Sequence, residues 1–371
     1  MSPQDRTDRA ADIDSVDWVV DDATSAGGAG GGSRRTRCRT KTLRELISPI
    51  LDAMERGDKP IIWQPADEPW GNLELEPRSL VTIGAPHNGG KTALVVDVIR
   101  KLLSRYPDLR VVFSSNDMDP ERSSERFLAN VAGWNYSGIR KRFVDGGDAN
   151  AIEAMRTVLE RFDNRLTVVL RPFTMPDLVE AAAENRADIV VLDTLQPTDL
   201  GQHYESQQRH VAAVMRSLRA LADTGPCVVA TSPLSRNGVA ATRERVGKTD
   251  VNPLDMSCFA HAYEIEGESD ILLLLLAAKG EQLSLGPDAR QEPVKMFLQC
   301  VKGRDSVKTI LPLWFDGNTQ RFSLRKDDTD SEQAGGRKQA AGKGRGEAGK
   351  GKSGIQGPKK QKEQHGHRWL D

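Results

Sequence analysis

The sequence predicts an α/β protein built on a mostly parallel, twisted sheet flanked by helices, with an antiparallel edge. Three observations lead there. Short apolar runs rich in Val, Ile and Leu alternate with longer amphipathic stretches between residues 79 and 232. These runs are near-continuously apolar rather than alternating, as strands buried on both faces are. Three further runs, between 270 and 316, follow one another with no helical stretch between them, which points to hairpins at one edge.

Taken in order, SLVTIGA (79–85) precedes the helical TALVVDVIRKLLSRY, and LRVVFSS (109–115) precedes PERSSERFLANVAGW. LTVVLR (166–171) precedes MPDLVEAAAEN, and DIVVLD (188–193) precedes ESQQRHVAAVMRSLRALAD. CVVATS (227–232) leads into a polar, glycine-containing stretch, 232–253, that reads as helix-poor. DILLLLLAA, VKMFLQCVKG and KTILPLWFD close the pattern. The run at 271–278 is too short to span a bilayer and reads as a buried strand.

The flanks differ in composition. Residues 1–40 contain GGAGGGSRRTR without apolar periodicity and read as a disordered leader. TLRELISPILDAMERG repeats its apolar residues at helical spacing (Leu43, Leu46, Ile47, Ile50, Leu51, Met54), which gives a helix over 41–58. Such a helix is either a linker or an ordinary core helix. Residues 326–371 read as a disordered, Gly/Lys-rich basic tail; within 336–371 stand ten Lys or Arg against three acids. That tail either keeps the chain soluble or acts as an arm for phosphate backbones. His365 and His367 are too few for a metal site.

A chain of 371 residues supports one or two domains. Its formal net charge of −1 leaves recognition of anions to local patches. Four scattered cysteines (Cys38, Cys227, Cys258, Cys300) with no CxxC pair read as reduced thiols. The first twenty residues are acidic and polar rather than a secretory signal. A cytoplasmic protein without membrane association is the expectation.

The chemistry concentrates at VTIGAPHNGGKTAL. A phosphate loop needs a strand, a small first residue, four further positions, then Gly-Lys-Thr opening a helix. Gly84 stands one residue too far from Gly90, so the loop begins at Ala85: Ala85, Pro86, His87, Asn88, Gly89, Gly90, Lys91 and Thr92. Gly89 reads as a variable position within it. Backbone N–H groups would cradle phosphates at the helix N-terminus, Lys91 would reach the β- and γ-phosphates, and Thr92 would hold Mg²⁺. The cofactors implied are ATP and Mg²⁺. Asp193, ending the apolar DIVVLD on a neighbouring strand, completes the metal shell; an aspartate there also suits a turn cap. FSSNDMDPERSSERF supplies Asp117, Asp119 and Glu121 for activating water. Asp117 is nearest the strand tip, and Glu121 suits the first turn of the next helix. VKMFLQCVKGRDSVKTILPLWF reads as a hairpin turning at Gly303–Ser306, displaying Lys302 and Arg304 or leaving them in solvent.

These segments, in order over roughly 60 to 323, resemble the C-terminal ATPase domain of DnaB-type hexameric replicative helicases. LEPRSLVTIGAPHNGGKTAL is similar to that family's alanine-first loop, VVFSSNDMDPERSSERFLA to its Ser-Leu-Glu-Met-like strand end, and IVVLDTLQ to its Asp-Tyr-Leu-Gln motif. VVATSPLSR is similar to its Ser-Gln-Leu-Asn-Arg motif, YEIEGESDILLLL to the run after its DNA-binding loop, and KGRDS to its Lys-x-Arg finger. The resemblance implies a RecA-like P-loop NTPase domain over 59–325 that hydrolyses Mg·ATP at subunit interfaces of a homo-oligomeric, hexameric ring on single-stranded DNA. It implies Asp117 as catalytic base, Lys302 and Arg304 acting on the neighbouring subunit's site, and Arg236, Arg243, Arg245 and Lys248 gripping DNA. The helix at 41–58 would then be the linker that docks on the next subunit, and a primase or loader is an open partner.

Departures from the family are visible too. Asp117 is one carbon shorter than the expected glutamate. Pro233 occupies the sensor glutamine's place and carries no amide, and Gln196 reads as structural. The helical primase-binding module is expected to be absent, which suits a plasmid, phage or accessory type. Two other functions fit the same residues: a RecA- or KaiC-like ATPase in recombination, loading or signalling without unwinding, and an ATP-binding scaffold with weak hydrolysis.

Overall fold

The computed structural model describes residues 42–66, 70, 73–116, 120–136, 138–139, 149–160, 162, 164–196, 198–201, 204–243, 253–278, 281, 292–303 and 309–326. The expected leader and almost all of the expected tail lie outside them. The first element is helix α1 (Leu43–Arg56). Thr42 caps it reciprocally with Glu45, and Gly57, at φ 72°, closes it in the left-handed region that glycine adopts without steric cost.

The apolar runs form the strands. In chain order these are β1 (Leu80–Ala85), β2 (Val111–Ser115), β3 (Leu166–Val169), β4 (Ile189–Asp193) and β5 (Cys227–Pro233), then β6 (Ile271–Ala277), β7 (Val294–Lys302), β8 (Ile310–Asp316) and β9 (Arg321–Ser323). They make one nine-stranded sheet in the order β3-β2-β4-β5-β1-β6-β7-β8-β9. Pairing is parallel from β3 through β6 and antiparallel from β6 through β9. The expected antiparallel edge is therefore present. It begins after β6, which itself pairs parallel to β1, and it ends in a short strand, β9, that the sequence did not announce.

Successive side chains on each strand enter two different cores, as the two-residue period requires. Val81, Ile83, Val111, Phe113, Ile189, Val191, Leu273 and Leu275 pack on one face with helix α2 (Lys91–Arg105). Leu80, Val112, Val190, Leu192, Leu272 and Leu274 pack on the other, under α5 (Met175–Glu184) and α6 (Gln207–Thr224). Helices α3 (Pro120–Ala132) and α4 (Ala149–Glu160) lie between β2 and β3 in the chain. The second of these was not expected from the sequence. After β5 comes α7 (Arg236–Arg243), and α8 (Ala262–Glu268) leads into β6.

α7 corrects the helix-poor expectation for 232–253. Ser235 Oγ accepts from the Gly238 N–H at 3.0 Å, capping the helix start. The glycine inside that helix is needed for packing: a Cβ on Gly238 would lie 2.4 Å from the Cys258 carbonyl oxygen. α1 resolves the other open alternative. Its Leu43, Ile50, Leu51 and Met54 are 71%, 58%, 52% and 70% exposed, so it is not a core helix of this subunit.

The most heavily hydrogen-bonded buried charge away from the strand tips is Asp97 on α2. Its Oδ1 accepts from Arg100 at 2.9 Å and Asn130 Nδ2 at 3.2 Å. Its Oδ2 accepts from Lys101 at 2.6 Å and the Phe322 N–H at 3.1 Å. One carboxylate thus joins α2, α3 and β9. Burial pushes its pKa up, but the charges and hydrogen bonds of Lys101 and Arg100 outweigh burial and bring it from 3.8 down to about 2.

A depressed folded-state pKa contributes stability that is full above the unfolded value and is lost as pH falls through the folded value. Asp97 should therefore contribute about 2 kcal/mol above pH ~4, lost on the way down to pH ~2. Asp97→Asn should cost about 3 kcal/mol at neutral pH, because Lys101 and Arg100 lose their counter-charge. Urea unfolding of both proteins at pH 7 and pH 3 tests this, the gap between them narrowing at the lower pH.

Candidate functional site

Several strand tips and loops converge at the C-terminal edge of the parallel strands, where ligands of open α/β sheets bind. β1 ends at Ala85, fully buried, and the chain turns through His87 and Asn88 into α2. Two glycines make this turn possible. Gly90 sits at φ 86° as the residue before the helix. Gly89 donates its N–H to the Pro86 carbonyl at 2.9 Å, and a Cβ there would lie 2.8 Å from that same oxygen. Gly89 is thus a steric requirement rather than the variable position the spacing allowed. Gly84 has a different job: a Cβ would fall 2.6 Å from the buried Phe259 ring, so this glycine makes room for packing below the loop.

No side chain caps the N-terminus of α2, leaving its positive end directed at the loop. Lys91 folds back over that loop, its Nζ donating to the Ala85 and Pro86 carbonyls at 3.3 and 3.1 Å. Thr92, next along, donates its hydroxyl to Asp193 Oδ2 at 2.7 Å. Thr231, on β5, donates to Asp193 Oδ1 at 2.6 Å. Asp193 is 1% exposed. A correction follows for its strand: β4 is not the neighbour of β1, because β5 lies between them. The carboxylate still meets Thr92, since that residue stands on α2, over the sheet.

These residues border a cleft of about 720 Å³, open to solvent, lined by the loop from His87 to Thr92 and by Asp193, Thr194, Gln196, Pro233 and Arg126. Arg126, on α3, was missed in the sequence. Its Nε is buried without a hydrogen-bond partner, and the sequence offered no signal that set it apart from Arg122 in the same amphipathic stretch. Gln196 departs from its structural assignment, because neither atom of its carboxamide has a partner.

The remaining expected residues fall in three groups. Asp117, Arg245, Lys248 and Arg304 lie outside the described residues. Arg236 is exposed at the first position of α7, and Arg243 ends that helix. Lys302 ends β7 and does not stand open to solvent as displayed: its Nζ donates to the Glu266 carbonyl at 2.6 Å. It pairs with Leu272, near the start of β6, and Leu272 pairs with Thr82. Because β7 runs antiparallel, Lys302 stands at the end of the sheet opposite the edge that carries this subunit's cleft.

Among the described residues no helix is long and apolar enough to cross a membrane, and no group of three or more His, Cys, Asp or Glu could hold a metal ion. Cys227, Cys258 and Cys300 are buried, and none forms a disulfide there.

A loop turning on glycine into an uncapped helix, with a buried aspartate at a nearby strand tip, defines a RecA-like P-loop domain. The chain belongs to the DnaB-like helicase C-terminal domain family, whose model matches residues 73–324. Two solved structures share the fold. One, described as the structure of a DnaB-like replicative helicase and its interactions with primase, is 16% identical with a TM-score of 0.56, over 76% of this chain and 67% of that one. The other, described as an ATPase domain, is 17% identical with a TM-score of 0.59, over 76% of this chain and 99% of that one. No curated protein matches.

The two threonine hydroxyls on Asp193 have a measurable consequence. Thr231→Val removes one donor from a buried carboxylate and should lower stability by about 2 kcal/mol. The check is the urea midpoint at pH 7, and an unchanged midpoint would show that Oδ1 does not depend on this hydroxyl.

Proposed function

We propose that this protein is an ATP-dependent DNA translocase or helicase of the DnaB-like type, hydrolysing Mg·ATP at the subunit interfaces of a hexameric ring on single-stranded DNA. The observation that carries the proposal is the Thr92–Asp193–Thr231 arrangement beside the uncapped N-terminus of α2. The ATPase core occupies 59–325 and is preceded by the linker helix at 41–58.

In this reading the N–H groups of the loop between Asn88 and Thr92 bind the phosphates, and Lys91 exchanges two backbone carbonyls for the β- and γ-phosphate oxygens. Thr92 and Asp193 offer a hydroxyl and a carboxylate, hard oxygen donors that suit Mg²⁺. When bound, that ion neutralises phosphate charge. Asp117 takes the proton of the attacking water. Lys302 and Arg304 act on the neighbouring subunit, which agrees with Lys302 standing at the sheet end opposite its own cleft. The exposed apolar face of α1 docks on the next subunit, and Arg236, Arg243, Arg245 and Lys248 track DNA phosphates. A cytoplasmic location suits such a protein.

One observation favours a second reading, an ATP-binding scaffold with slow hydrolysis: Pro233, in the cleft wall, offers no side-chain amide. ATPase rates with and without single-stranded DNA separate the two readings. The first expects strong stimulation, and the second expects tight binding with little turnover.

The shared site predicts complementation. Lys91→Ala and Arg304→Ala should each lower ATP turnover about a thousandfold. Mixing the two inactive proteins should restore part of the rate, because some interfaces then pair an intact loop with an intact finger. A mixture as inactive as its components would rule out catalysis across the interface.

A further inference from the structure

Gln196 lines the cleft alongside Thr92, Asp193, Arg126 and Pro233, and both its Nε2 and its Oε1 are buried without a hydrogen-bond partner. A buried carboxamide left open at both ends is costly, about 1–3 kcal/mol per unmet group, and in a native protein it calls for an occupant. Its own backbone is firmly placed. The Leu195 N–H and the Thr194 hydroxyl both donate to the Thr231 carbonyl, at 2.9 and 2.8 Å. On the other side Asn116 Nδ2 donates to Thr198 Oγ1 at 2.9 Å and to the Thr194 carbonyl at 3.3 Å. The segment carrying Gln196 is therefore fastened to the tips of both β5 and β2, so the open side chain cannot be put down to a slack loop.

The chemistry of the occupant follows from the two open ends. Nε2 needs an acceptor and Oε1 needs a donor, and exchanging the two atoms leaves the same pair of demands. A phosphate oxygen meets the first and a water molecule meets the second. Arg126, which also lines the cleft and whose buried Nε is likewise without a partner, adds positive charge for the same anion. Lys91 and Thr92 already serve the part of the cleft at the helix N-terminus. Gln196 stands three residues beyond Asp193, past the strand tip. Pro233, at the end of the adjoining strand β5, leaves that side of the cleft without an amide of its own.

We infer that Gln196 is the residue that contacts the terminal phosphate of a nucleoside triphosphate and its attendant water, and so distinguishes triphosphate from diphosphate. The inference rests on the nucleotide-binding function proposed above and assigns to β4's exit the amide that β5's tip lacks.

The test is titration calorimetry on the full chain with Mg²⁺ present, using ADP and the non-hydrolysable triphosphate AMP-PNP as probes. Gln196→Ala should loosen AMP-PNP about tenfold while changing ADP by less than about twofold. Gln196→Glu, nearly the same in shape but anionic towards the phosphate, should loosen AMP-PNP further and again spare ADP. Gln196→Ala should keep the wild-type melting temperature, because Gln196 gives up no hydrogen bond inside the protein, whereas Gln196→Glu should lower it, because its carboxylate is buried without a donor. Equal loosening of both probes, or an unchanged ratio in both variants while the wild type binds, overturns the inference alone. A wild-type protein that binds neither probe overturns the proposed function, and this inference with it.

Discussion

Asp193 accepts one hydroxyl from Thr92 and another from Thr231, and it does so almost wholly out of water. Burying a carboxylate is expensive unless its oxygens are served, so the two hydroxyls are a condition for the aspartate being there at all. They arrive from α2 and from β5, elements far apart in the chain: Thr231 is placed by the sheet register, and Thr92 by the start of α2 over the sheet. Thr231 lies opposite Ile83 on β1, and Leu192, just before the aspartate, lies opposite Ala230. One buried anion therefore fixes three elements to each other at the sheet edge where the glycine loop turns. The loop needs that fixed frame, since Gly89 and Gly90 provide backbone shape but little restraint of their own.

What could be read in the sequence was whatever depends on short-range pattern. Continuous apolar runs gave the strands, because burial on both faces leaves no polar position to break them. The loop was legible because its chemistry demands a fixed spacing between Ala85 and Lys91. Strand order was not legible: nothing in DIVVLD or CVVATS says that β5 inserts between β1 and β4. The expectation that Asp193 stands on a neighbouring strand failed for that reason. Glycine misled too, since the stretch holding Gly238 read as helix-poor and Gly89 as a variable position. In each case the deciding fact is a backbone oxygen less than 3 Å from the missing Cβ: the Pro86 carbonyl in the same turn for Gly89, and the distant Cys258 carbonyl for Gly238.

Direction explains how the outer elements relate to the site. An antiparallel strand that follows a parallel one ends at the opposite edge, so Lys302, at the end of β7, stands away from the cleft of the same chain. Lys302 is meanwhile held by the carbonyl of Glu266, near the end of the short helix that feeds β6. Lys302 there is better placed for another copy's site than for its own, as the proposed function requires. α1 points the same way from the other end of the chain, because its apolar stripe lies uncovered and exposed apolar surface of that kind marks an association site. Two independent features thus favour the ring that the proposed function invokes.

The contrast between Asp97 and the cleft shows where this fold places its hydrogen bonds. At Asp97 the partners come from Arg100, Lys101, Asn130 and a backbone N–H, and the α2–α3–β9 corner is closed. Around the cleft the polar side chains are left open instead. Ser115 Oγ, Arg126 Nε and both ends of Gln196 are buried without partners, and Ser115 stands beside Asp193 in the β2–β4 register. Unmet polar groups cost stability wherever they occur; among the described residues the one other buried side-chain atom without a partner is Gln320 Oε1, beside the Asp97 corner, so most of them gather around the cleft. A ligand rich in acceptors recovers that cost on binding. An anion with several oxygens recovers most of it, because Arg126 and the Gln196 amide are both donors. The energy withheld from folding at this edge is then available as affinity, and it favours the ligand that reaches furthest past Asp193.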